Sequence, residues 1–224
     1  MEYAIPAILG YLLGSISPAA FLGRIKKVNM RQRGTGNLGA TNTALLMGKK
    51  LGFAVMFFDI FKGALAVILG KLIFAETAAI SGLIGGCAAV LGHMFPFYMK
   101  FKGGKGLAAY GGMALACDPL AFLILMGIGI ICMFVFNYCV ALTVFGSALF
   151  PVTVALGNLG SPAMIPMTVI AAVVTAIFIF RHRDNVIRSI KKEEPTTKDF
   201  LKKLFGKHRG VLVEEAEAAR QEQQ

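Results

Sequence analysis

The sequence predicts an all-α integral membrane protein of about seven transmembrane helices, with its N-terminus outside and its C-terminus cytoplasmic. Three observations carry this reading. Of 224 residues, 56% are hydrophobic and the mean hydropathy is +0.69, whereas soluble domains sit nearer roughly 45–50% apolar. The apolar residues form long runs broken by short polar stretches. The charge, +11 net, is gathered into clusters between those runs.

The runs are 3–23, 51–75, 78–98, 106–117, 119–136, 139–157 and 162–180. A helix needs about 20 residues to cross the hydrocarbon core, and all but 106–117 approach that length. Asp118-Pro119 ends this short run, so it is either a half-span or one lengthened by the glycines before it. The N-terminal run follows Glu2 without a basic leader region and is read as a retained first span.

Charge placement orients the runs. Arg24, Lys26, Lys27, Arg31, Arg33, Lys49 and Lys50 fall in the first connection, Lys100, Lys102 and Lys105 in another, and a third group starts at Arg181. With an outside N-terminus and seven crossings, all three clusters share the cytoplasmic face, as basic loops do. The lone acids Glu2, Glu76 and Asp118 then share the other face. Residues 1–181 form one membrane domain and 182–224 a tail. In the tail, Phe200, Leu201, Leu204 and Phe205 share one helical face, with Lys198, Lys202, Lys203 and Lys207 elsewhere, a pattern suited to an anionic membrane surface. Residues 213–224 are polar, and no fixed structure is expected there.

Composition also excludes some chemistry. Basic clusters between membrane spans do not form a nucleic-acid footprint. Cys87, Cys117, Cys132 and Cys139 lie in apolar context without C-x-x-C spacing, so no metal or other cofactor is expected.

Three stretches carry polar groups suited to a site. RGTGNLGATN, Arg33 to Asn42, matches the dinucleotide fingerprint at Gly34, Gly36 and Gly39. A nucleotide loop needs a strand before it and a helix after it in a βαβ unit, which a membrane protein of this pattern does not supply. The glycines instead suit a nest of backbone amides around an anion, with Thr35, Asn37, Thr41 and Asn42 adding neutral donors and Arg31 and Arg33 charge. A tight interhelical turn is the plainer alternative.

In the second stretch, Phe95 to Gly112, Lys102 and Lys105 bracket Gly103-Gly104, and Gly106 opens a helix, a second plausible phosphate site. His93, just before it, is either part of that site or an interfacial histidine packed by neighbours. The third stretch, FRHRDNVIR, places His182 and Asn185 at i, i+3 on one helical face, with Arg188 and then Glu193-Glu194 following. Within the second run, Asp59 and Lys62 at i, i+3 read as a buried structural ion pair. Together these stretches imply phosphorylated small molecules at the membrane's inner face and a lipid-like partner entering from the bilayer.

In order along the chain, GSISPA (Gly14–Ala19), GTGNLGATN (Gly34–Asn42), FDIFKG (Phe58–Gly63), GHMFPFYMKFKGGKG (Gly92–Gly106) and RHRDNVIR (Arg181–Arg188) resemble the bacterial acyl-phosphate:glycerol-3-phosphate acyltransferases of the PlsY type. The resemblance covers about residues 3–194. It implies seven helices in the bacterial cytoplasmic membrane and acyl transfer from acyl phosphate to the 1-hydroxyl of glycerol 3-phosphate, giving lysophosphatidate. Catalytic roles then fall to Thr35, Lys105, His182 and Asn185. Substrate binding falls to Arg31, Gly34, Gly36, Asn37, Gly39, Thr41, Asn42, Lys102, Gly103, Gly104 and Glu194. The hydroxyl proton would pass to His182 or to the departing phosphate.

The chain departs from that pattern at several points. Thr35 replaces the usual serine, Asn29 an aspartate, Leu45 an arginine and Ala109 a threonine, and Tyr138–Thr143 loses at least one hydroxyl. These losses leave two other readings: a divergent paralogue with a changed acceptor or a non-catalytic binding role, and a small organic-phosphate transporter. A transporter needs a polar path across the bilayer, and the outer segments offer only isolated acids.

Overall fold

The computed structural model describes residues 1–205 and 211, all helix and connections. Among these residues twelve α-helices follow one another: α1 Ala4–Ser15, α2 Pro18–Ile25, α3 Ala40–Met47, α4 Lys49–Ile73, α5 Ala78–Met94, α6 Leu107–Cys117, α7 Pro119–Phe136, α8 Cys139–Ala148, α9 Phe150–Gly157, α10 Met164–Phe180, α11 Arg183–Ile190 and α12 Thr197–Phe205. The expectations for 206–210 and 212–224, Lys207 included, lie outside the described residues.

Among the described residues, five helical stretches are long and apolar enough to cross a membrane: 4–25, 49–73, 75–99, 119–136 and 139–157. A sixth results if α10 and α11 count as one span, bent by 51°. The remaining run of the seven, α6, has only 11 residues and rises about 16 Å. It lies against α4, α5 and α7, shielded by protein rather than exposed as a complete lipid-facing crossing.

Two runs that read as continuous are interrupted. The first stops at Ile16-Ser17, where Pro18 cannot donate a backbone hydrogen bond and Ser17 caps the new helix by accepting from the Ala20 amide at 3.3 Å. The break leaves carbonyls without helical partners. Tyr98 Oη donates to Ser15 O at 2.6 Å and Lys62 Nζ to Ile16 O at 2.7 Å. Lys62 is also 2.8 Å from Asp59 Oδ1, so the expected pair forms and is almost fully buried. The second interruption is at Leu149, ahead of Pro151 near the start of α9.

Two local expectations need correction. The connection 24–50 contains α3, a short helix folded against α4, rather than loop alone. His182 and Asn185 do not share one continuous helix, because the chain turns at Arg181-His182 and α11 starts one residue later. The bend permits His182 to point back into the bundle while Asn185 points toward the second stretch.

The core lies among α4, α5, α6, α9 and α10, around Val67, Leu83, Val90, Met113, Phe150 and Phe178. Ala109 is fully buried within it. Many large apolar side chains on α1, α4, α7 and α10 are instead exposed, as helices facing lipid require. After α11, Thr197 anchors the chain to the α7–α8 corner: its amide donates to Asn137 O at 2.9 Å and its hydroxyl to Met133 O at 3.1 Å.

Candidate active site

The glycine loop is built around Asn42. Its Oδ1 accepts from the Thr35 amide at 2.7 Å and its Nδ2 donates to Met30 O at 2.9 Å. Asn42 is fully buried, so both ends of its side chain are used to shape the loop. Gly34 and Gly36 have φ of 62° and 70°, the left-handed region that a side chain enters at a cost. Thr35 and Arg33 are exposed, while Asn37 and Thr41 are half-buried. Gly39 leads into α3, whose first turn has no side-chain cap and leaves amides available to an anion.

The second stretch reaches the loop through tight contacts. The amides of Gly103 and Gly104 donate to Met94 O at 2.9 Å and His93 O at 3.1 Å. Both are therefore satisfied within the protein, so these two glycines do not form the amide nest that the sequence suggests. Their small size is what the fold requires: a Cβ at Gly104 would lie 2.6 Å from Leu38 O and would run into the His93 ring. His93 is buried, with Nδ1 3.3 Å from Asp59 Oδ1. It supports the second stretch from below and ties it to the Asp59–Lys62 pair.

Side chains join all three stretches. Arg31 Nη2 donates to the carbonyl of Lys102, which connects the first stretch to the second. Arg181 Nη2 donates to Gly104 O at 3.3 Å, and its guanidinium lies 5.3 Å from the Phe95 ring centre. Lys105 Nζ donates to Asn185 Oδ1. Asn185 Nδ2 donates to Glu194 Oε1 at 2.6 Å, and Arg188 Nε to Glu194 Oε2 at 2.7 Å. Four side chains from three segments thus form one chain of hydrogen bonds, with Glu194 as its shared acceptor. Lys102 is exposed at the edge.

His182 lies beneath this network. Its Nδ1 is 2.9 Å from Phe178 O, and a carbonyl only accepts, so Nδ1 carries the proton and Nε2 presents a lone pair. The Phe178 ring tilts against the imidazole at 4.8 Å and stacks on Tyr110 at 4.4 Å. Burial, with lesser repulsion from Lys105 and Arg181, pushes the His182 pKa down to about 4. The imidazole is neutral near pH 7. Burial and then Arg188 also lower the pKa of Lys105, while Glu194 and Asp184 act against that shift.

The arrangement therefore places Lys105 and Arg181 beside a neutral histidine acceptor, with Arg188 acting on Lys105 and Arg31 joined to the Lys102 carbonyl. It suits the alignment of anionic substrates. A family model described as glycerol-3-phosphate acyltransferase matches residues 4–192. The chain belongs to the glycerol-3-phosphate acyltransferase family. Relatives with that description include one from Bacillus velezensis, 37% identical over 201 residues that span 89% of this chain and 100% of the relative. Another, from Staphylococcus carnosus, is 37% identical over 88% of this chain and 99% of its own length.

Two solved structures are similar as well, both of PlsY (YgiH), an integral membrane glycerol 3-phosphate acyltransferase. Its glycerol 3-phosphate form superposes with a TM-score of 0.75 at 28% identity, over 96% of this chain and 99% of that one. Its lysophosphatidic acid form gives 0.75 at 29% identity over 90% and 99%. Membership of the acyltransferase family fits the multi-pass architecture.

Within this family member, sequence reasoning missed Arg181 as the group that reaches Gly104. The available signal was its position at the end of an apolar run beside His182. The partnership of Glu194 with Asn185 and Arg188 had no such signal, because a six-to-nine-residue separation across a helix end has no fixed period.

Proposed function

We propose that this protein transfers an acyl chain from acyl phosphate to the 1-hydroxyl of glycerol 3-phosphate, giving lysophosphatidate and inorganic phosphate. The observation that carries the reading is the Lys105–Asn185–Glu194–Arg188 network beside His182, which gathers cations from separate segments at one place. The glycerol 3-phosphate and lysophosphatidic acid forms of the similar PlsY structure support the acceptor and the product. The donor rests on the family resemblance. Seven crossings with the N-terminus outside would place all three basic stretches on the cytoplasmic face.

On this reading, Lys105 and Lys102 hold the acceptor's phosphate. Arg181, whose buried Nε lacks a hydrogen-bond partner among the described residues, offers a further donor. The start of α3 and the loop around Thr35 hold the acyl-phosphate end. His182 Nε2 accepts a hydrogen bond from the attacking hydroxyl and orients it. A group with a pKa of about 4 is a weak base near neutrality. The proton therefore passes to the phosphate leaving group. The hydroxyl oxygen bonds to the carbonyl carbon, the carbonyl–phosphate bond breaks, and hydrogen phosphate departs. An acyl phosphate is already activated, so alignment of two anions and offset of their repulsion is the protein's main contribution.

Reconstituted protein given palmitoyl phosphate and labelled glycerol 3-phosphate tests this directly, with palmitoyl-CoA as the control donor. Labelled lysophosphatidate with phosphate release from the acyl phosphate alone is the expected result. No product from folded protein, or equal use of palmitoyl-CoA, would overturn the proposal.

A further inference from the structure

An open-sided cavity of about 350 Å³ lies at the C-terminal end of the span Ala4–Ile25. Arg24, Lys27, Asn29 and Arg31 supply its polar lining, over an apolar base that includes Ala20 and Met99, and no acidic residue lines it. Arg24 and Lys27 have no ion-pair partner among the described residues. Asn29 uses Oδ1 to accept from the Arg31 amide at 3.1 Å, which leaves Nδ2 as a donor.

The end of α2 sets where Lys27 lies. The α2 helix ends in a Schellman turn: Val28 N donates to Gly23 O at 2.8 Å and Lys27 N to Arg24 O at 3.1 Å. Lys27 occupies the left-handed position of that turn, with φ 54°, where glycine fits with least strain. The same turn, with Lys192 in the left-handed position, ends α11 away from the cavity lining, so the conformation alone assigns no ligand; at Lys27 it sets a cation at the cavity's edge. A helix C-terminus favours cations in its own right, but that preference accounts for neither the cavity between them nor its lack of acids.

The second observation is what borders the cavity. Phe21 and Ile25, one turn apart on α2, are 64% and 58% exposed. At the end of a membrane span, such side chains face lipid while Arg24 and Lys27 reach the headgroup level. We propose that this cavity binds the headgroup of an anionic phospholipid of the bilayer, its phosphodiester held by Arg24 and Lys27 and its acyl chains lying along Phe21 and Ile25. Arg31, which also bonds to the Lys102 carbonyl, connects the occupied cavity to the segment that carries Lys105. The proposal does not depend on the acyl transfer set out above.

The test is lipid retention by the full-length protein in nanodiscs of phosphatidylcholine containing one-third phosphatidylglycerol, read as retained lipids by native mass spectrometry. Phosphatidylglycerol should be retained in preference to phosphatidylcholine. Each cavity charge removed should weaken retention about fivefold, so Arg24→Gln/Lys27→Gln loses roughly 25-fold. Asn29→Asp, which adds an acid at nearly constant shape, should weaken it about fivefold. Lys191→Gln/Lys192→Gln, after the end of α11 and not among the residues that line the cavity, should leave it unchanged. The proposal fails if the wild type shows no preference or if the cavity variants match it. It also fails if those variants lose glycerol 3-phosphate binding, measured calorimetrically in pure phosphatidylcholine discs, while retaining phosphatidylglycerol. That last result would assign the cavity to a soluble phosphate.

Discussion

Glu194→Gln probes the network most selectively because it keeps the shape and removes one charge. In the wild type, both carboxylate oxygens accept, one from Asn185 at 2.6 Å and one from Arg188 at 2.7 Å. A glutamine keeps only one acceptor and turns a donor toward either Asn185 or Arg188. A hydrogen bond to a charged group contributes about 1.5–3 kcal/mol. The Arg188 side chain is 45% exposed, so its share is screened. A net loss of about 1–2 kcal/mol follows, or roughly 5–30-fold in KM for glycerol 3-phosphate if Asn185 and Lys105 lose their positions.

The same variant carries a pH signature. Burial and Arg188 lower the pKa of Lys105, and the negative charge of Glu194 raises it. Removal of that charge lowers the Lys105 pKa further, so the lysine loses its proton at a lower pH than in the wild type. The alkaline rise in KM for glycerol 3-phosphate should therefore move to lower pH. Initial rates from pH 6.5 to 9.5, with acyl phosphate saturating, would reveal both effects. An unchanged KM and an unmoved alkaline limb would refute the argued link between Glu194 and Lys105.

Gly104→Ala should lower kcat/KM by about 100-fold, since displacement of a catalytic segment by about 1 Å has that consequence; equal activity in folded protein would show that Leu38 and His93 yield freely. Asp59→Asn should destabilise the fold by about 3–5 kcal/mol by stranding Lys62 without its partner, seen as a lowered Tm in detergent with little change in KM. His182 takes up a proton in the unfolded chain below its ordinary value of 6.5 and in the folded protein only near 4. Stability therefore falls as pH drops from 6.5 toward 4, by up to about 3 kcal/mol, and His182→Asn should flatten that part of the Tm profile. Leu45→Arg adds a cation on α3, one helix turn from Thr41, and should lower KM for palmitoyl phosphate; an unchanged value would mean the donor's phosphate does not reach that turn of the helix.

The sequence by itself determined the class of protein and the chemistry of its polar segments. Apolar runs of bilayer length and clustered lysines and arginines suffice for that, because the cost of burying charge and backbone in lipid acts on each segment regardless of its neighbours. The Asp59–Lys62 pair was legible for the same reason: i, i+3 spacing brings the two side chains together within a single helix. What tertiary structure decided was the use of each group. Asn42 reads as a ligand in sequence yet spends both ends on Met30 and Thr35, and Gly103-Gly104 reads as an amide nest yet is small to fit beneath Leu38 and His93. The breaks at Ile16 and Arg181 meet partners distant in the chain, Lys62 and Tyr98 for the carbonyls at the first and the Gly104 carbonyl for the Arg181 side chain at the second. Periodicity reports which face a residue occupies on its own helix. It carries no information on which group a neighbouring helix brings to meet it, and in this protein those meetings build the site.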